Sequence, residues 1–238
     1  MTKEIRVFAA GSLRKVLPAM AGRSGFSINS VFGPSGVLRE RIAQGERPAL
    51  YLSANLKHCK ILADMDLCSE PIVFTENSLC LFGRPSALQR GDALQNMLSS
   101  ENRVGTSTPV DDPGGDYAFS VFDRAEVIQP GSREVLRNKA LTLVGGKNSP
   151  KSAGPHSPVY GLFAEDKVDL FLGYRTTAMD IARRMDNIEI MDLPDSLSVK
   201  AQYFAVVIEK NNDGVELLKG LQASAAQNAL EEFGFKRP

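Results

Sequence analysis

The feature that most constrains this chain is a rhythm: a short apolar run, a turn of glycine, proline or serine, then a stretch with helical spacing, repeated several times. Ile5-Arg6-Val7-Phe8-Ala9-Ala10 reads as a buried strand, broken by Gly11-Ser12. Leu13 to Ala21 then places Leu13, Val16, Leu17 and Met20 on one helical face, with Pro18 expected to bend or tighten that helix. Residues 26–32 form the next strand, and Gly33-Pro34-Ser35-Gly36 the next turn. The helix after it turns Val37, Leu38, Ile42 and Ala43 inward and Arg39, Glu40 and Arg41 to water. Residues 50–54 are a third strand, and Asn55 begins another helix through Ala63.

The rhythm returns after Asn77. Strands are expected over 78–82, 102–105, 141–144, 168–174 and 201–208. Helices are expected over 117–127 and 159–165, with one or two more over 214–233. A loop rich in Gly, Pro, Ser and Lys fills 145–158. Strands alternating with helices in this way specify an α/β architecture with largely parallel sheets. At 238 residues and 43% hydrophobic side chains, the chain has enough apolar material for two lobes of ordinary size.

In open α/β sheets ligands bind beyond the carboxyl ends of the strands, so the loops that follow strands carry the functional candidates. Ser12 lies between the first strand and its helix and is expected to cap that helix. Ser35 repeats the arrangement, and Gly36 beside it would allow close approach to the backbone. Free N–H groups and the dipole at a helix start also suit an anion, so two such junctions suggest a shared anion site. Pro113-Gly114-Gly115-Asp116 offers a third glycine-lined helix start, with Asp116 expected to point away from an anion. Tyr174 ends a strand and could present a phenolic donor.

Lysine and arginine together number 28, as do aspartate and glutamate, so no global field draws nucleic acid or an acidic membrane. An anion binder of this balance must make its positive potential locally. No apolar stretch approaches the roughly 18 residues of a membrane span. The N-terminus lacks the apolar region of a secretion signal, which leaves two readings open: a signal removed on export, or a cytoplasmic protein. Cys59, Cys68 and Cys80 form no C-x-x-C pair and read as buried thiols, a Cys59–Cys68 disulfide staying open for an exported protein. His58 and His156 are the only histidines, which argues against a zinc site. There is no G-x-S-x-G elbow, no G-x-x-x-x-G-K-[ST] loop and no recognisable acid–base pair, so no enzymatic reaction and no cofactor are expected.

Taken in order, the junctions resemble the molybdate-binding proteins of ABC importers, members of the type II periplasmic solute-binding class. The resemblance rests on Ala9-Ala10-Gly11-Ser12-Leu13, Gly33-Pro34-Ser35-Gly36-Val37-Leu38, Arg41-Ile42-Ala43-Gln44-Gly45 and Ser53-Ala54-Asn55. It continues through Pro113-Gly114-Gly115-Asp116-Tyr117-Ala118, Gly173-Tyr174 with Thr176-Thr177-Ala178, and Glu232-Phe233-Gly234-Phe235. It implies two α/β lobes with a ligand cleft between them. Lobe I would comprise 1–81 and 197–238 and lobe II 82–196, with hinge crossings near 78–84 and 194–202. It also implies a monomeric periplasmic receptor that binds molybdate or tungstate and docks on a membrane permease. Carried over residue by residue, the ligand donors would be Ser12 and Ser35 in the first lobe. The second would supply the Gly114 backbone, an N–H near His156 or Ser157, and the Tyr174 hydroxyl. The chain departs from the family at Arg14 and Arg175, which flank two of these positions, and at Lys147, Lys151 and His156 in the 145–158 loop. Rim charges steering anions are one reading of them. A larger or more highly charged ligand, phosphate-like or carboxylated, is the other, as is a cytoplasmic binder of such an anion.

Overall fold

A computed structural model describes residues 4–147, 149 and 157–238. The chain divides into two compact units, Met1–Asn77 with Ala201–Pro238, and Ser78–Lys200. The elements in chain order are β1 (Ile5–Ala10), α1 (Val16–Arg23), β2 (Ile28–Gly33), α2 (Ser35–Ala43), β3 (Leu50–Ser53), α3 (Leu56–Asp64) and β4 (Ile72–Gly83). They continue with α4 (Ala93–Leu98), β5 (Val104–Ser107), α5 (Pro113–Ile128), α6 (Ser132–Lys139), β6 (Leu141–Val144), α7 (Pro158–Ala164) and β7 (Leu170–Tyr174). The last are α8 (Arg175–Ala182), β8 (Glu189–Asp192), β9 (Lys200–Val207), α9 (Asn212–Gln222) and α10 (Ser224–Glu232).

In the first unit β1 pairs in parallel with both β2 and β3, and β9 closes against β3 in the opposite direction. The period-two alternation of strand side chains divides the core between the two faces. Val7, Ala9 and Leu52 meet Leu13, Val16, Leu17 and Met20 on one side, together with Leu217, Leu221 and Leu230 from α9 and α10. Phe8, Tyr51 and Val206 meet Leu38 and Ile42 of α2 and Cys59 and Leu62 of α3 on the other. Helices on both faces explain why these strands are continuous apolar runs rather than alternating ones.

The second unit has a mixed sheet. β5 runs parallel to β6 and β7, whereas β4 runs antiparallel to β7 and β8. Cys80, Phe82 and Phe171 pack on Val159, Leu162 and Phe163 of α7 and Ile181 of α8, with the Phe82 ring centroid 5.8 Å from Phe163 and 5.5 Å from Phe171. Helix α5 lies along β5 and β7 beside α6 and buries Val121, Phe122 and Ala125.

Several local expectations are corrected. The first α-helix starts at Val16, not Leu13, because Gly11–Leu13 closes a separate 3-10 turn. Pro18 therefore falls in the helix's first turn, where a missing N–H costs no intrahelical bond. β4 begins at Ile72 rather than at 78, and α4, α6, α8 and β8 are elements that the sequence reading does not contain.

Candidate functional site

Ala10 and Gly33, the last residues of β1 and β2, are partners in a parallel register. Neighbouring strands lie about 4.8 Å apart, and Ser12 and Ser35 each follow their strand by two residues, so both stand at one edge of the first unit's sheet. Neither caps its helix. Ser12 sits inside the 3-10 turn, α1 has Lys15 at its cap position without a side-chain bond, and the Ser12 hydroxyl pairs instead with Tyr203 Oη at 2.8 Å. Pro34 takes the cap position of α2, which leaves Ser35 as its first helical residue.

Ser35 is only 1% exposed, and its Oγ accepts from the Ala54 N–H at 3.1 Å, tying α2 to the end of β3. Its carbonyl accepts from the Tyr51 hydroxyl at 2.7 Å. A serine oxygen that accepts one bond keeps its own proton to donate. Gly36 does not open onto free space, since a Cβ there would meet the His58 ring of α3 at 3.3 Å. The third strand ends differently, in a serine with a true cap after it. Ser53 folds its hydroxyl back onto Asn55, and Asn55 caps α3 by accepting from the Lys57 N–H at 2.8 Å.

In the second unit Gly114 and Tyr174 come together. A Cβ on Gly114 would lie 3.2 Å from the Tyr174 ring and 3.3 Å from Ser107 Oγ. The Tyr117 ring stands edge-on to Tyr174 at 6.4 Å between centroids. The Gly114 N–H, however, is already engaged. Asp112 caps α5, and its carboxylate accepts that N–H at 2.8 Å. Burial pushes the Asp112 carboxyl above the usual aspartate range; the Gly114 N–H and the Ser107 hydroxyl oppose that shift, and the Asp116 charge adds to it. Gly145, at φ 78°, lets its chain pass close to this carboxylate, where any side chain would collide with Asp112 Oδ2. Asp116 turns back to the loop after β5 and accepts the Val110 N–H at 2.8 Å, holding the exposed Val110 at φ 72°.

Ser157 caps α7 by accepting from the Tyr160 N–H at 3.3 Å, so its hydroxyl serves its own helix. His156 and Lys151 lie outside the described residues. The Lys147 backbone N–H donates to Asp111 at 3.0 Å, and its side chain is exposed. The two flanking arginines are engaged. Arg14 lies over the Phe32 ring, 5.0 Å from its centroid, and Arg175 pairs with Asp192 of β8. Cys59 and Cys80 are buried thiols, both pushed up to about 12 by burial, and the Cys68 thiol donates to the Cys59 carbonyl at 3.8 Å. Among the described residues, no group of three or more His, Cys, Asp and Glu side chains is placed to hold a metal ion, and no helix is long and apolar enough to cross a membrane.

Tyr203 and Asp112 are the two residues that sequence reading missed. Tyr203 left no signal, since it lies 191 positions from Ser12. Asp112 had one: it precedes Pro113, and an Asp-Pro step is a common way to open a helix.

The sequence model for bacterial extracellular solute-binding proteins matches residues 5–236. The chain belongs to that family. A protein of Pasteurella multocida (strain Pm70), PM1146, is 33% identical over 97% of this chain and 98% of its own length. Among solved structures, this solute-binding protein is similar to the periplasmic molybdate-binding protein of Azotobacter vinelandii, with TM-score 0.76 and 15% identity over 99% and 100% of the two chains. It also matches the sulfate-binding protein SubI of Mycobacterium tuberculosis H37Rv, with TM-score 0.78 and 14% identity over 100% and 87%. A third match is PEB3, a Campylobacter jejuni protein, bound to L-phospholactate, with TM-score 0.71 and 14% identity over 99% and 100%. At these identities the likenesses establish the α/β fold of type II periplasmic binding proteins, not the ligand.

Proposed function

We propose that this protein is the receptor of an ABC importer, acts outside the cytoplasm, and captures a tetrahedral oxyanion, molybdate or tungstate, without chemical turnover. Its donors would be neutral: the hydroxyls of Ser12, Ser35 and Tyr174 and an N–H near His156 or Ser157, whereas the N–H groups that open α5 at Gly114 are held by Asp112. Neutral hydroxyls and helix starts supply local positive potential to a chain whose formal charges cancel. Bonds from such donors to a dianion are charge-assisted and stronger than neutral ones.

The observation that carries this reading is the engagement of the two flanking arginines. Had Arg14 and Arg175 lacked partners, a ligand needing a guanidinium clamp would have been the better fit. Instead one lies on Phe32 and the other pairs with Asp192. That favours a small anion satisfied by neutral donors.

One observation favours a second reading, a phosphate-like anion. The Asp112 carboxylate beside Gly114 can accept a hydrogen bond from an anion that still carries a proton. Inorganic phosphate carries one near neutral pH, and phosphate monoesters, with a second pKa of about 6, keep it on a minor fraction; molybdate, tungstate and sulfate do not. The L-phospholactate held by PEB3 is such a monoester.

Titration calorimetry of the purified protein with molybdate, tungstate, sulfate, phosphate and L-phospholactate tests the proposal. Tight molybdate or tungstate binding with little response to the other three is the expected outcome. A response confined to phosphate or L-phospholactate moves the assignment to the second reading and makes Asp112 the specificity residue.

A further inference from the structure

Tyr203 lies in the middle of β9, with no exposed surface, inside the first unit's core. Its ring packs edge-to-face on Phe235 at 5.6 Å, yet its hydroxyl reaches the half-exposed Ser12 at 2.8 Å. A phenol at the heart of an apolar cluster is costly unless its hydroxyl has a partner, and a phenylalanine would fill the same space. The partner here is the very serine that stands at the site edge.

The bond can run either way, because both groups are at once donor and acceptor. An anion beside Ser12 removes that freedom. The serine proton must then point at the anion, and Ser12 Oγ can only accept from Tyr203. Donation into Oγ polarises the hydroxyl and strengthens the bond it gives, since linked hydrogen bonds reinforce one another where water is excluded.

We infer that Tyr203 is a positioning residue for anion capture: its buried hydroxyl donates to Ser12 Oγ and fixes the serine proton toward the ligand. This rests on the assignment of Ser12 as a ligand donor. No proton is transferred; only the direction of one hydrogen bond is set.

The test is a double-mutant cycle read by calorimetry with molybdate, or with whichever of the five anions named above binds if molybdate does not. Tyr203→Phe weakens binding about tenfold in the wild-type background, the loss expected for one net hydrogen bond to a charged network. In the Ser12→Ala background the same change has less than about a twofold effect, because the relay has no serine to act through. A merely structural tyrosine would weaken binding equally in both backgrounds, and that result overturns the inference. Should Tyr203→Phe fail to fold, site-specific 3-fluorotyrosine at Tyr203 replaces it. The more acidic phenol is a stronger donor and a weaker acceptor, so it tightens binding if Tyr203 donates and loosens it if Tyr203 accepts. The two failures are distinguishable: affinity lost in Ser12→Ala but kept in Tyr203→Phe overturns only the relay, whereas affinity kept in Ser12→Ala removes Ser12 from the site and takes the relay with it.

Discussion

At the scale of single residues, Asp112 combines two roles that pull its ionisation in opposite directions. As a cap it favours the charged form, because the Gly114 N–H donates to it. Enclosure favours the neutral form, and enclosure is the larger effect. The folded-state pKa is therefore raised. The stability tied to this group is complete below the ordinary aspartate range and is lost as pH rises through the raised value. Asp112→Asn keeps a capping oxygen but never ionises, and asparagine caps about as well as aspartate. The variant should gain on the wild type as pH rises from about 3 to about 7. Thermal melts of both proteins across that range check this, and a difference that stays flat with pH would remove the burial argument. Ser12 and Ser35 were legible as candidates because each follows a strand pattern directly, Tyr174 because it ends one, and Gly114 because a glycine pair opens its helix. What their hydroxyls and N–H groups bond to was not. The Ser12–Tyr203 and Ser35–Ala54 bonds join segments 191 and 19 residues apart, and no local pattern reports such a meeting.

At the scale of elements, helix starts fix where the site's backbone lies, and α5 shows how tightly. Its third residue, Gly115, packs against the preceding loop so closely that a Cβ would come within 2.4 Å of the Thr108 carbonyl carbon and 2.5 Å of Pro109 N. Those are backbone atoms, which no rotamer change can move aside. Gly115→Ala should therefore cost about 1–3 kcal/mol of stability and weaken oxyanion binding as the loop shifts. Gly22 in α1 has nothing within 4 Å of its would-be Cβ, so Gly22→Ala should instead stabilise by up to about 1 kcal/mol. Urea midpoints and molybdate titrations of the two variants read both effects, and an unchanged Gly115→Ala protein would contradict the packing account. The long apolar strands were read correctly because helices cover both faces of the first sheet. β8 was not: its Glu189-Ile190-Met191-Asp192 is partly exposed throughout, too short and too polar to stand out. Ser12 was misread as a cap because Gly11–Leu13 spends its residues on a 3-10 turn before α1 begins, a choice the helical spacing of Leu13, Val16, Leu17 and Met20 does not reveal.

At the scale of the whole molecule, the chain forms two α/β units, and in each the candidate donors gather at the carboxyl ends of strands: β1 and β2 in the first, β5 and β7 in the second. The ordered series of strand-end motifs was enough to anticipate the α/β fold and the solute-binding family, because turn chemistry and apolar periodicity are both local signals. Ligand identity is a different kind of property. It depends on where the charged side chains rest, and the contacts of Arg14 with Phe32 and of Arg175 with Asp192 emerge only in three dimensions. The most direct measurement is an anomalous difference map at the tungsten absorption edge from crystals grown with tungstate. One dominant peak is expected within hydrogen-bond reach of the Ser12 and Ser35 hydroxyls. A peak resting on lysine or arginine side chains, or none at these serines, would contradict the proposal.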